Sequence, residues 1–199
     1  MIRKALWLLS SVNGLRRKTT CVGLFVKVTE QYTNTKALNL LIPYALQANP
    51  DGSVSFLTSS GVRYTAEFTD ASYHFDDDLV KANGVAEFCF GPDAGQVSSA
   101  HDPRIELTLI YILQTYFANS GSVLLYVCES LDGRQRVRKR VFNRWFKQYG
   151  FSEYDKYDFE LVDGESAIIV SIITPSTLPH RAHFLQVFEA TFNFYTGLK

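Results

Sequence analysis

The 199-residue sequence predicts an α+β domain built on a single mixed, mostly antiparallel β-sheet flanked by helices. Three observations predict it. Short alternating runs punctuated by Gly, Asn, Asp and Ser turns fill residues 41–92. From Asp102 the pattern becomes helical on either side of one continuous apolar run, 122–128. An alternating hairpin then precedes a last helix. Taken in order, 41–47 reads as an edge strand, because Pro43 could not serve a central one. A helical reading of Leu38, Leu41, Ile42 and Ala45 competes with it. Asn49-Pro50-Asp51-Gly52 is turn chemistry. Residues 53–57 and 62–68 form a hairpin across Ser59-Ser60-Gly61, with Val54, Phe56, Val62, Tyr64, Ala66 and Phe68 on one face. A short strand over 72–75 ends at Asp76-Asp77-Asp78, and 85–90 is the next strand, stopped by Gly91-Pro92.

The second half starts with Asp102-Pro103, an N-cap acceptor followed by a proline whose missing N–H is harmless at the first helical position. Ile105, Leu109, Ile112, Leu113 and Tyr116 repeat at helical spacing, and Asn119-Ser120-Gly121 ends that helix. The run 122–128 is apolar throughout, as expected of a central strand covered on both faces. A basic helix over about 133–149 follows. Tyr157, Phe159 and Leu161 alternate with Asp158 and Glu160, and Asp163-Gly164 turns the chain into 167–173. Phe184, Phe188, Phe192 and Tyr195 mark the stripe of the last helix. The predicted order is β-β-β-β-α-β-α-β-β-α.

Twenty Lys and Arg balance twenty Asp and Glu, and 46% of residues are hydrophobic. This composition excludes a disordered chain, a collagen-like chain and a small disulfide scaffold. No apolar run reaches the roughly 20 residues of a membrane-spanning helix. The neutral total hides an uneven distribution. Residues 1–36 carry seven bases against Glu30 alone, so 1–40 reads as a basic, loosely packed extension and 41–199 as the domain. Arg3-Lys4 and the apolar residues after them resemble the start of a signal peptide, but the run is short and no small-x-small cleavage site follows. Cys21, Cys89 and Cys128 show no metal or CxxC spacing, and Cys89 and Cys128 lie in apolar runs. Reduced cysteines of this kind fit a cytoplasmic protein.

The basic helix is the most informative element. Arg134, Arg136, Arg138, Lys139, Arg140, Arg144 and Lys147 follow one another without an intervening acid. At about 100° per residue, Val141, Phe142, Trp145, Phe146 and Tyr149 share an apolar arc. Arg136, Lys139, Arg140, Arg144 and Lys147 lie outside it, as a solvated face or a docking surface for an acidic macromolecule. Arg134 and Arg138 fall inside the arc, beyond the carboxyl end of a sheet strand, where ligands bind in open sheets. A buried guanidinium needs an anionic partner. Arg134, Arg138 and Asp132 are therefore the candidate anion-binding residues, with Glu129 or Asp132 as internal partners in the alternative. Asp76-Asp77-Asp78 reads as a solvated turn, His101 as a loop residue, and His180 with His183 as surface residues. No metal site is expected.

Two resemblances follow from particular residues. Val54, Phe56, Gly61, Arg63, Tyr64 and Phe68, then Asp102-Pro103-Arg104-Ile105, the stretch from Leu125 to Gln135, and Arg140 to Phe146 resemble an uncharacterised bacterial domain family of unknown function. This resemblance runs from about Leu41 to the C-terminus. Separately, strand, helix, strand, a helix ending in Tyr149-Gly150-Phe151, and two more strands are similar to the core of GCN5-related N-acetyltransferases. That resemblance implies an acetyltransferase-like sheet and, in an active member, acetyl-CoA as cofactor. The sequence departs from it at the pyrophosphate loop, which residues 91–102 do not match, and at Phe146, where a general-acid tyrosine is usual. The reading is then a degenerate acetyltransferase-like domain binding a small anionic ligand or partner near the start of the basic helix. The alternatives are an active acyl-CoA-dependent N-acyltransferase with an atypical CoA loop, and a nucleic-acid-binding module using 134–147. Whether the protein is an enzyme stays open at this level.

Overall fold

The alternating runs of the first half form strands β1 (Gln47–Ala48), β2 (Val54–Leu57) and β3 (Arg63–Asp70). A 3-10 turn at Ser72–His74 and helix α1 (Asp78–Asn83) lead into β4 (Val85–Pro92). Then come α2 (Pro103–Ser120), β5 (Val123–Cys128), α3 (Gln135–Gln148), β6 (Tyr154–Asp163), β7 (Ser166–Pro175) and α4 (Arg181–Thr196). The structure is a computed structural model that describes residues 41–96, 102–120, 122–128, 134–163 and 166–196. The expected basic extension, Asp132, Glu129, His101 and Cys21 lie outside the described residues. The seven strands make one mixed sheet in the order β1-β2-β3-β4-β5-β7-β6. β4 and β5 run parallel, while β2 pairs antiparallel with β1 and β3, and β7 pairs antiparallel with β5 and β6. With four helices among the described residues, this is the α+β class that the sequence predicts.

The described residues divide into two compact units. In the first, 41–67 with 89–119, Phe56 lies opposite Tyr64 and Val54 opposite Ala66; Phe56, Tyr64 and Ala66 of the predicted face are buried and Val54 is half-buried, while Ser55 of the other face is buried as well. The rings of Tyr44, Phe56 and Tyr64 stack with centroids 5.8 and 5.4 Å apart. The predicted strand over 41–47 does not form; β1 keeps only Gln47 and Ala48. The reason is where its polar groups go. The Tyr44 N–H donates to Thr108 Oγ1 at 2.9 Å, and Arg104 Nε donates to the Ile42 carbonyl. The Tyr44 hydroxyl donates to Asp102 at 2.6 Å. The backbone before β1 is thus fastened to the start of α2 instead of a strand. Asp102 also accepts from the Arg104 N–H at 2.9 Å, the expected cap of α2. Leu109, Ile110, Ile112, Leu113 and Phe117 are buried along this helix.

In the second unit, 68–88 with 120–196, β5 is a true interior strand. It pairs with β4 on one side and β7 on the other. Its alternation separates two faces. Val123 and Leu125, with Val170 and Ile172 of β7, pack against Phe75, Val80, Phe184, Phe188 and Phe192 of the 3-10 turn region, α1 and α4. Tyr126, on the other face of β5, stacks on Phe142 of α3 with centroids 4.4 Å apart. The expected strand over 72–75 is replaced by the 3-10 turn and α1. Asp77 Oδ1 accepts from the Val80 N–H at 3.0 Å, and Gly84, with φ +76°, closes the helix. Asp76-Asp77-Asp78 is therefore a helix start and not a solvated turn. The predicted C-terminal hairpin forms, but Asp163 pairs with Ser166 as the last residue of β6 instead of lying in the turn.

Candidate functional site

The basic helix α3 is fixed to the sheet by aromatic contacts. Phe142 packs on Tyr126 and meets Trp145 edge-on at 5.2 Å, and Phe146 stacks on Phe151 at 5.6 Å. Trp145 is buried, and the helix ends at Tyr149 before Gly150, whose φ is +76°. This is the predicted apolar arc from Phe142 onward. Its first turn differs from the expectation. Arg134 is exposed, so its guanidinium is not a buried cation. The arc predicted from an even 100° step assumes that the sheet covers the whole helix, but among the described residues coverage starts about one turn later. Arg138 is half-buried, and its charge favours the ionised form of Cys128.

The outer cations divide into two groups. Arg136 pairs with Glu160 at 3.2 Å and Lys139 with Asp158 at 3.8 Å, both acids on β6. Asn143 Nδ2 also donates to Asp158, at 3.3 Å. Arg140, Arg144 and Lys147, with Asn143 and Gln148, line a shallow, open recess of about 470 Å³. Their spacing of i, i+4 and i+7 puts these three bases on one helical face. Among the described residues no acid lines the recess.

Sequence reasoning missed a polar cluster between α3 and the sheet. Lys156 contacts Asp158, and their side chains are only 7% and 20% exposed. Ser171 Oγ donates to Asp158 at 2.7 Å, and the Lys156 ammonium lies 5.6 Å from the centre of the Tyr126 ring. Burial alone would raise the Asp158 carboxyl. Hydrogen bonds from Lys156, Ser171 and Asn143, with the Lys156 charge, hold it below its ordinary value instead. Burial lowers the Lys156 ammonium, and Asp158 offsets part of that. The Cys128 thiol is pushed up to about 11, chiefly by burial. Burial also raises the Tyr126 phenol. Its hydroxyl has no hydrogen-bond partner of acceptable geometry among the described residues; Ser171, close enough to ease its ionisation, donates to Asp158 instead. The visible signal was the alternation of Lys156, Asp158 and Glu160 along one face of β6, which faces the bases of α3.

The remaining candidates have modest roles. His183 Nε2 lies 2.8 Å from Asp77 Oδ2, so it ties α4 to the start of α1. His180 is exposed with φ +56°. Among the described residues no group of three or more His, Cys, Asp or Glu could hold a metal. Cys89, expected to act as a buried hydrophobe, is exposed, whereas Cys128 is buried. No helix among the described residues is long and apolar enough to cross a membrane.

In comparisons with known proteins, the chain is similar over residues 101–189 to a family of unknown function, DUF6169. The match holds the Asp102-Pro103 start of α2, all of β5 and the whole basic helix. It begins later than Leu41, so the hairpin residues Val54 to Phe68 fall outside it. No curated protein and no solved structure matches.

Proposed function

We propose that this protein is an anion-binding domain whose binding surface is the open recess on α3 lined by Arg140, Arg144 and Lys147. One observation carries the reading: three cations share a helical face and line one open surface, with no acid among its described lining residues. Glu160 and Asp158 of β6 pair with Arg136 and Lys139, and Arg140, Arg144 and Lys147 add their charge on the solvent-exposed face. The proposed surface occupies the second half of the helix; Arg134 and Arg138, the expected anion-binding residues, stand at its start and in its first half, and Asp132 lies outside the described residues. Arg138 contributes positive charge near Cys128.

The parallel β4–β5 pair, with β7 placed between β5 and β6, is consistent with an acetyltransferase-like fold. Acyl transfer has less support. Phe146 stands where the resemblance calls for an acid tyrosine, and its ring is stacked on Phe151. Fold alone does not supply the chemistry. A degenerate, ligand-binding relative of that architecture is the reading these residues favour.

A second reading has its own observation. Arg136, Arg140, Arg144 and Lys147 follow one side of the helix over about 16 Å, at 1.5 Å per residue. A row of that length also matches an extended nucleic-acid backbone. Titration calorimetry with tripolyphosphate, beside a series of single-stranded oligonucleotides of increasing length, separates the two. Small-anion binding predicts saturable uptake of tripolyphosphate that weakens as salt rises from about 0.1 M to about 1 M and the screening length falls from about 10 to about 3 Å. Affinity confined to oligonucleotides and growing with their length would replace it with the nucleic-acid reading. Absence of binding to either would refute both.

A further inference from the structure

We propose that Glu160 gates the basic surface of α3: it holds Arg136 aside from a row that Arg136 shares with Arg140 and Lys147, and a linear polyphosphate long enough to reach Arg136 takes this arginine from it. The proposal rests on the anion-binding reading above and names its ligand, a polyphosphate chain lying along the helix axis.

The row follows from helix geometry. α3 is continuous from Gln135 to Gln148. At about 100° per residue, with Arg136 at zero, Arg140 falls at about 40° and Lys147 at about 20°. The three positions therefore form a nearly axial row about 16 Å long, at 1.5 Å per residue. All three residues are exposed. Arg140 and Lys147 line the recess. Arg136, about one turn before Arg140, instead donates to Glu160 of β6, Nη2 to Oε1 at 3.2 Å.

This pair opens easily. The Arg136 side chain is 74% exposed and that of Glu160 35%, so water screens their attraction and the pair contributes little. Its neighbour on the same flank, Lys139 with Asp158, lies deeper, and Asp158 is also held by Lys156, Ser171 and Asn143. Arg136 is thus the cation that an incoming anion can recruit. A phosphate oxygen gives its guanidinium a charge-assisted acceptor in place of the carboxylate. An anion confined to the recess does not reach Arg136, so Glu160 opposes only a ligand that spans the row.

The surroundings favour polyphosphate over nucleic acid. Sites that bind single-stranded nucleic acid without sequence preference add aromatic side chains on which bases stack. None of the exposed positions of α3 is aromatic. Phe142 is stacked on Tyr126, Trp145 meets Phe142, and Phe146 is stacked on Phe151. A ligand made of phosphates alone uses what this face presents.

The test is titration calorimetry of the full chain at low salt. The probes are tripolyphosphate, a linear polyphosphate long enough to span the row, and a single-stranded oligonucleotide with as many phosphates as the long chain. Glu160→Gln should bind the long polyphosphate about threefold more tightly than wild type, the value of one exposed ion pair, and leave tripolyphosphate within about 1.5-fold. Removing any surface acid strengthens anion binding through the general field, so the decisive comparison is made in Arg136→Gln. In that background Glu160→Gln should give no gain, because the pair it releases is already absent. Circular dichroism checks that these exposed substitutions keep the fold. No gain, a gain of equal size with and without Arg136, or an equal gain for both polyphosphates would overturn the gate and leave the anion-binding reading standing. Tighter binding of the oligonucleotide than of the long polyphosphate would overturn the choice of ligand. No binding of either polyphosphate to the wild type would overturn the proposal and the anion-binding reading together.

Discussion

Asp158→Asn probes the most highly connected side chain beneath α3. The substitution preserves shape and removes the charge that faces the Lys156 ammonium, whose side chain is 7% exposed. Removing one partner of a buried pair costs about 3–5 kcal/mol. Asp158 keeps 20% exposure, which places the loss at the lower end of that range, about 3 kcal/mol. For a chain of this size that is a fall in Tm of about 6–12 °C. The pH dependence supplies the signature. Burial holds the Lys156 pKa below its ordinary value of 10.5, and loss of Asp158 lowers it further. Between its folded pKa and its ordinary value such a lysine binds fewer protons folded than unfolded, so stability rises with pH across that window. The deficit of the variant should therefore shrink from neutral to strongly alkaline conditions, where Lys156 is buried uncharged. The acid side has the opposite sign. The Asp158 pKa is held below its ordinary 3.8, so its contribution is complete above that value and is lost as pH falls through the folded pKa. The variant should lack this acid limb. Urea denaturation followed by circular dichroism at several pH values measures both limbs. Adding Lys156→Met to Asp158→Asn should recover part of the loss, since the uncompensated charge is then gone. A variant within about 0.5 kcal/mol of wild type at neutral pH, or a deficit that does not change with pH, would refute the reasoning.

Three further outcomes follow from the fold. Phe188 is fully buried among Phe75, Phe192 and the β5–β7 face, so Phe188→Ala should cost about 3–5 kcal/mol in chemical denaturation. Gly84 holds φ +76° at the end of α1, so Gly84→Ala should cost about 1 kcal/mol or more by the same assay, despite the space around it. Cys89 is exposed, whereas Cys128 is buried with its thiol pushed up to about 11. Brief alkylation near neutral pH followed by peptide mass mapping should label Cys89 and spare Cys128 until the protein is unfolded. Rapid labelling of Cys128 in the native protein would contradict the packing of α3 on β5.

Much of this was legible because periodicity reports burial. The alternation of Phe56, Tyr64 and Ala66, the continuous run of β5 and the Phe184, Phe188, Phe192 stripe each specify a buried face, and each forms as predicted. Where backbone groups found side-chain partners far along the chain, the pattern misled. Tyr44 belongs to no strand because Thr108 and Asp102, about sixty residues away, hold it. Asp77 was hidden as a helix cap because a six-residue helix is too short to show a period. The site was half visible. The cations of α3 could be read directly, but which of them β6 neutralises depends on strand packing, and Lys156, Asp158 and Ser171 meet only once the hairpin folds. The exposure of Arg134 came from incomplete coverage of the first turn, which a helical wheel does not represent.

The most direct measurement of the central claim is the affinity of tripolyphosphate for the wild type and for the triple variant Arg140→Gln, Arg144→Gln, Lys147→Gln, by calorimetry at low salt. These residues line the recess from the solvent face of α3, so the variant should keep its fold. At roughly 0.7 kcal/mol per exposed cation, affinity should fall about thirtyfold and its salt dependence should flatten. Unchanged affinity in a folded triple variant would place anion binding elsewhere and contradict the account.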